Sequence, residues 1–175
     1  MAEVKLVNQI TDAGDESWSK HSCGICVIKM LMVFKNQKFQ SIPIMTLLSQ
    51  AFNAGGYIKN IGWKHQALVD LAASYGVPMN FQKEFFNTPE KKKEGIKMIN
   101  NQLSILKSPV AVSVLKEFNL SDTAHLVIVE KIKKLGPFVL GYHIADPYPG
   151  KRGNRYVVSK KEFLAGWRGG MLWLE

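Results

Sequence analysis

From Ile25 to Phe34, ten consecutive residues (Ile-Cys-Val-Ile-Lys-Met-Leu-Met-Val-Phe) carry a single charge, Lys29. Coiled as a helix, such a run is apolar on nearly every side and is stable in water only when protein surrounds it. A chain built on it has a buried central helix, and the remaining sequence must supply the layers that cover it. The run opens abruptly. Ahead of it lie Asp12, Gly14, Asp15, Glu16, Ser17, Ser19, Lys20, His21 and Ser22, a polar and turn-rich stretch. Cys23 stands at the junction, in the first turn of the expected helix. There the unpaired backbone N–H groups and the positive end of the helix dipole favour a thiolate. The thiolate is the nucleophilic form, so Cys23 is the first candidate for chemistry.

The chain has 175 residues, 46% hydrophobic and 21% charged, which suits one domain with a real core and argues against disorder. No apolar run reaches the length of a membrane span. The first residues, Met-Ala-Glu-Val-Lys-Leu-Val-Asn-Gln, lack the pattern of a signal peptide, so the expected location is cytoplasmic. Two cysteines rule out a disulfide framework. The net charge is +9 and the pI about 9.5, much of it in short clusters: Lys91-Lys92-Lys93, Lys131-Lys133-Lys134, Lys151-Arg152-Arg155 and Lys160-Lys161. None is interleaved with aromatics as a base-stacking platform would be, and no zinc-finger or RNP-type signature occurs. The clusters read as solvated loops and helix ends, and a nucleic-acid partner is not expected.

Turn and cap signals divide the chain into a helical part, about 1–107, and a strand-rich part, about 108–175. Residues 3–10 read as a short strand or an extended arm. Helices are expected over Gly24–Lys35, Pro43–Phe52 and Trp63–Tyr75, the last stopped by Gly76. Val77–Phe81 reads as a short strand. Thr88-Pro89-Glu90 reads as an N-cap with Pro at the first helical position, opening a helix with Ile96, Ile99, Leu103 and Leu106 on one side. Strand-like runs then follow: Pro109–Val114, Leu126–Val129, Phe138–Ile144, Arg155–Val158 and Met171–Leu174. Ser159 caps a short helix before the last of them. Helices followed by strands predict a single α+β domain over 1–175 with an antiparallel sheet.

A nucleophilic thiol needs a base and a group that orients the base. Of His21, His65, His125 and His143, His125 is best placed. It follows the polar turn Ser121-Asp122-Thr123-Ala124 and opens an apolar strand, so its side chain can face a cleft while its neighbours anchor it. His21 lies in a loop too close to Cys23 for a rigidly aimed base. His65 falls in a first helical turn and is expected to be exposed. His143 alternates within a strand. Asp146, just beyond the strand Gly141–Ala145 and before Pro147, is the candidate orienting acid. An oxyanion requires donors: the Cys23 N–H is one, and Gln9 or Asn8 can supply a side-chain amide, with Ser17 less apt.

These residues resemble a known family. Gln9, then Ser22-Cys23-Gly24-Ile25-Cys26 with Met30, is similar to the Gln…Cys-Gly opening of the bacteriocin-processing, double-glycine-leader cysteine peptidases and their stand-alone relatives, within the papain-like superfamily. Gly56, Gly62-Trp63, Leu68-Val69, Ala72 and Tyr75-Gly76 resemble its middle segment. Ser108–Val112, His125–Val129, Asp146-Pro147, Phe163 and Trp167 follow its second half in order, so the similarity runs from about Leu6 to Leu174. The resemblance implies a papain-like fold with a helical N-terminal half packed on an antiparallel sheet. It implies a peptidase acting on a peptide or protein substrate without cofactor or metal, through a thioester. It implies Cys23 as nucleophile, His125 as general base and acid, Asp146 as orienting acid and Gln9 as oxyanion donor. The spacing from Gln9 to Cys23 is wider than the family usually shows. Papain's own Cys-Gly-Ser-Cys uses the second cysteine, but the leader-peptidase pattern has the nucleophile directly before Gly, which selects Cys23 over Cys26.

Two other chemistries fit the same letters. Cys23-Gly24-Ile25-Cys26 matches a thioredoxin-like redox pair, which would require a preceding strand in a βαβ unit, whereas the residues here are loop-like. The pair with His21 or His125 could hold zinc, but no second pair completes a structural site. A catalytically idle papain-like domain that only binds a peptide is the third alternative.

Overall fold

The structure is a computed structural model and describes residues 3–86, 88–119 and 123–175. After an extended arm comes a single helical turn, α1 (Glu16–Ser19), which Asp15 caps through its side chain. The apolar run forms α2 (Cys23–Lys35). Its residues from Gly24 to Val33 are all buried except Lys29, as a helix without a polar face requires. Lys29 reaches out and donates to the Ile42 carbonyl at 2.5 Å, and burial holds its pKa below the usual lysine range. α3 (Ile44–Asn53) and α4 (His65–Ser74) cover one flank of α2 with Leu47, Leu48, Leu68 and Ala72.

Between them a short hairpin pairs β1 (Tyr57–Ile58) with β2 (Gly62–Trp63). Trp63, expected to start a helix, therefore lies in a strand. Gly62 at φ 115 and Asn60 at φ 65 make the turn that puts it there.

The other flank of α2 meets a six-stranded antiparallel sheet. In chain order its strands are β3 (Met79–Gln82), β4 (Val110–Leu115), β5 (Ala124–Leu135), β6 (Phe138–Ala145), β7 (Arg155–Ser159) and β8 (Trp167–Leu174). Their spatial order is β3-β8-β4-β5-β6-β7. The sheet thus takes one strand from the helical half and places the last strand second from its edge. α5 (Pro89–Ser104), capped by Thr88 as its sequence predicts, and α6 (Lys160–Gly166), capped by Ser159, cover the far face. Alternation divides the sheet cleanly. Ala111, Leu126, Ile128, Ala145 and Leu172 face α2, while Val110, Val112, Val127, Val129 and Ile144 face Phe85, Ile99, Phe163 and Trp167. A sheet covered on both faces explains why β4 is buried at nearly every position. Leu106 lies past the end of α5 and is 62% exposed, not on its buried side. The layers are mixed helix and antiparallel sheet, the architecture expected from the sequence.

Candidate active site

Cys23 is the first residue of α2, half-buried and free. Ser22 makes no side-chain cap, so the helix-start N–H groups are left to other acceptors. Gly24 follows because there is no room for a side chain: a Cβ would stand 3.0 Å from the Trp63 ring and 3.2 Å from Leu68. Cys23 itself packs, partly buried, against the core cluster to which Trp63 and Leu68 belong.

β5 brings His125 to the same place. Its backbone pairs with Val114, its ring is 5% exposed, and the ring packs edge-on to Tyr148. Thr123 and Ala124 of the expected polar turn are described, whereas Ser121 and Asp122 lie outside the described residues. The imidazole has a partner on two sides. Cys23 is near enough for the two groups to shift each other's pKa, and Nε2 lies 2.6 Å from Asp146 Oδ1. With Nε2 committed to the carboxylate, Nδ1 is the nitrogen that remains for the sulfur.

Asp146 is 1% exposed and fully occupied. Oδ1 also accepts the Tyr148 N–H at 2.8 Å, and Oδ2 accepts the Tyr156 hydroxyl at 2.7 Å. Asn154 clamps the backbone of Asp146, donating its Nδ2 to the Asp146 carbonyl and accepting the Asp146 N–H at its own carbonyl, both at 2.8 Å. A buried carboxylate held by three donors orients an imidazole well. Tyr156 and Asn154 had no signal in the sequence. Tyr156 is one apolar residue among several in β7, and its role depends on its neighbour Ile144 in β6.

The electrostatics favour a charged couple. Burial opposes ionisation of Cys23, but the hydrogen bond and charge of His125, with backbone hydrogen bonds from Leu126 and Gly24, bring its pKa below 9.0. Burial likewise opposes charge on His125. Its hydrogen bonds to Asp146 and Cys23 and their negative charges prevail, raising its pKa from 6.5 to about 10. The balance is a thiolate beside an imidazolium. Cys26, one turn on, is the opposite case. It is 0% exposed, its Sγ lies 3.9 Å from Ser22 Oγ, and burial pushes its thiol up to about 12. A thiol so protonated and enclosed is a poor partner for disulfide exchange.

Gln9 is 2% exposed and tied at both ends of the site. Its backbone N–H donates to the carbonyl of Pro147, next to Asp146, at 2.8 Å, and its Nε2 donates to the Ser19 carbonyl in the turn before Cys23 at 2.7 Å. Its Oε1 has no hydrogen-bond partner among the described residues. The rival amide, Asn8, is engaged elsewhere: its Oδ1 accepts the Ile10 N–H at 2.9 Å and its Nδ2 donates to Asn154 Oδ1 at 3.4 Å, while Ser17 bonds Asp15 at 2.6 Å.

The other histidines do different work. His21 is exposed and hydrogen-bonded to the Tyr57 hydroxyl at 3.1 Å, within a group of rings from Trp18, Tyr57 and Trp63 that flanks the thiol. The charge of Cys23 is felt there: burial first, and then that charge, raise the Tyr57 pKa. His65 is half-buried, not exposed, against Phe81. Burial and the nearby Lys83 and Arg168 lower its pKa to about 4, so it is neutral. His143 sits in the sheet opposite Lys131 and Val157. Among the described residues no group of three or more His, Cys, Asp or Glu is arranged to hold a metal ion. Nor is any helix among the described residues long and apolar enough to cross a membrane.

Neither a family model nor a curated protein matches the chain. Solved structures do. The peptidase domain of Streptococcus ComA, a bifunctional ABC transporter involved in quorum sensing, superposes with a TM-score of 0.63 at 19% identity, covering 98% of each chain. A double-glycine-motif protease from an AMS/PCAT transporter, solved in complex with the leader peptide, gives 0.61 at 14% identity over 99% of this chain and 92% of its own. A protein described as a C39-like peptidase from Bacillus anthracis gives 0.69 at 14% identity over 100% and 96%. The chain has the fold of these C39, papain-like peptidase domains.

Proposed function

We propose that this chain is a cysteine peptidase that cleaves a peptide bond through Cys23, His125 and Asp146. One observation carries the reading. The imidazole of His125 is coupled to the helix-start thiol on one side and bonded to a buried, fully hydrogen-bonded carboxylate on the other. That is the arrangement a nucleophile, its base and an orienting acid require. The fold shared with peptidase domains supports it, and the neighbour solved with its leader peptide supports a peptide as the substrate class.

In this mechanism the Cys23 thiolate attacks the scissile carbonyl carbon, and the carbonyl π electrons move to oxygen. The Cys23 N–H and the second N–H of the Gln9 amide hold that oxyanion. Collapse of the intermediate breaks the C–N bond, and the His125 imidazolium gives its proton to the departing amine. The neutral imidazole then takes a proton from water, whose hydroxide adds to the thioester. Collapse expels the thiolate, the acid is released and the imidazolium is restored. Asp146 holds the ring in its tautomer throughout.

The test is a screen of peptide amides against wild type, Cys23→Ala and His125→Ala. Each substitution should lower cleavage by a factor on the order of 10⁴ or more. Cleavage that survives either one removes the assignment.

A further inference from the structure

The β5–β6 hairpin forms one end of the molecule and carries exposed apolar side chains. β5 runs beyond the covered sheet, and its outer half, from Lys131 to Leu135, leaves the core. The tip is Gly136-Pro137, and the last cross-strand pair is Leu135 with Phe138. Directly paired residues share a face, so these two side chains stand together. Each is 70% exposed. Leu140, passed over where the register shifts between Lys133 and Lys134, adds a third apolar side chain at 44%. The end of α5 lies alongside. A depression of about 290 Å³ joins Leu103, Ser104 and Lys107 to Lys131, Ile132 and Lys134. Its one acidic lining residue, Glu130, is buried and tied to the Val4 N–H and to Arg155. At the end of α5, Ile105 and Leu106 are 70% and 62% exposed. Lys131, Lys133 and Lys134 stand two to five residues before the tip glycine, and Lys107 lines the depression. The sequence has no acidic residue from Lys131 to Ala145, nor from Gly95 to Lys116.

From this we infer that the hairpin tip and the end of α5 dock on an anionic lipid surface, with Leu135 and Phe138 entering the headgroup layer and the lysines meeting the phosphates. A tip that projects apolar side chains and keeps its cations behind them matches a bilayer, whose interior takes the apolar groups while its charged surface meets the lysines. A protein partner would have to present a matching hollow and acidic rim. The pair Leu135 and Phe138 is a weak anchor alone, so binding should depend on both parts. The inference does not rest on the proposed peptidase activity.

The test is co-sedimentation of the purified chain with two vesicle preparations: phosphatidylcholine mixed with phosphatidylglycerol, and phosphatidylcholine alone. Wild type should bind the first, bind the second weakly, and be released by salt. The double variant Leu135→Ser/Phe138→Ser should bind at least about tenfold less, and Lys133→Gln/Lys134→Gln about tenfold less, with unchanged melting temperatures because all four side chains are exposed. Phe138→Trp should show a blue shift in its fluorescence on the anionic vesicles. No binding by wild type overturns the inference. So does binding that the tip variants leave intact, which would mark general attraction by the net charge. A concentration-dependent dimer that Leu135→Ser/Phe138→Ser dissolves would overturn it in favour of an interface between two copies.

Discussion

The pKa values of Cys23 and His125 are shifted in opposite directions, and the interval between them is where the proposed couple exists. Thiolate forms as pH rises through a value below 9.0, and imidazolium is lost as pH rises through about 10. A peptidase run by this pair has a bell-shaped kcat/KM profile with its alkaline limb near 10. Initial rates across a pH series check it, and an alkaline limb near the ordinary histidine value would contradict the pairing. Gln9→Ala should lower kcat on the order of 10² to 10³ and leave KM nearly unchanged, because an oxyanion donor acts only in the transition state. A rise in KM at constant kcat would assign Gln9 to substrate binding instead. Tyr156→Phe strips one donor from a buried carboxylate and should cost about 1–3 kcal/mol of stability, read by denaturant unfolding. Cys23, His125 and Asp146 were legible as candidates because each sits where a polar turn meets an apolar element. Tyr156 and Asn154 were not, since their value lies in whom they face across strands β6 and β7, a relation that sequence order does not carry.

At the scale of elements, the central helix was readable because a run without a polar face has one solution, complete burial. The caps were readable for a local reason: Thr88 and Ser159 each accept a backbone N–H three residues on, a bond their own segments determine. Met30, 0% exposed in the middle of α2, should cost about 2–5 kcal/mol when replaced by Ala, measured as a shift in the denaturation midpoint. A smaller loss would mean that the layers around α2 collapse into the space. The first turn, α1, escaped notice because four residues give no periodicity. The extension of β5 past Val129 escaped because Lys131–Leu135 resembles solvated loop in composition, while its ladder is supplied by β6. Trp63 was misplaced for the same reason: its strand is made by pairing with Tyr57 and not by its own neighbours.

At the scale of the molecule, helices followed by strands were enough to predict an α+β protein. The strand order was beyond reach. β8 enters between β3 and β4 through contacts far apart in sequence, and only the folded chain decides them. The consequence for function is geometric. The start of α2 and the start of β5 meet where the helical layer rests on the sheet, and Asp146 arrives from the end of β6. The site therefore exists only in the assembled fold, and its chemistry reports on the assembly. The most direct measurement is the pH dependence of Cys23 alkylation by iodoacetamide. Buried Cys26, with its thiol pushed up to about 12, should stay silent. Wild type should reach half its limiting rate below pH 9.0, and His125→Ala should move that midpoint upward. A midpoint at or above 9.0 that His125→Ala leaves in place would contradict the thiolate–imidazolium couple.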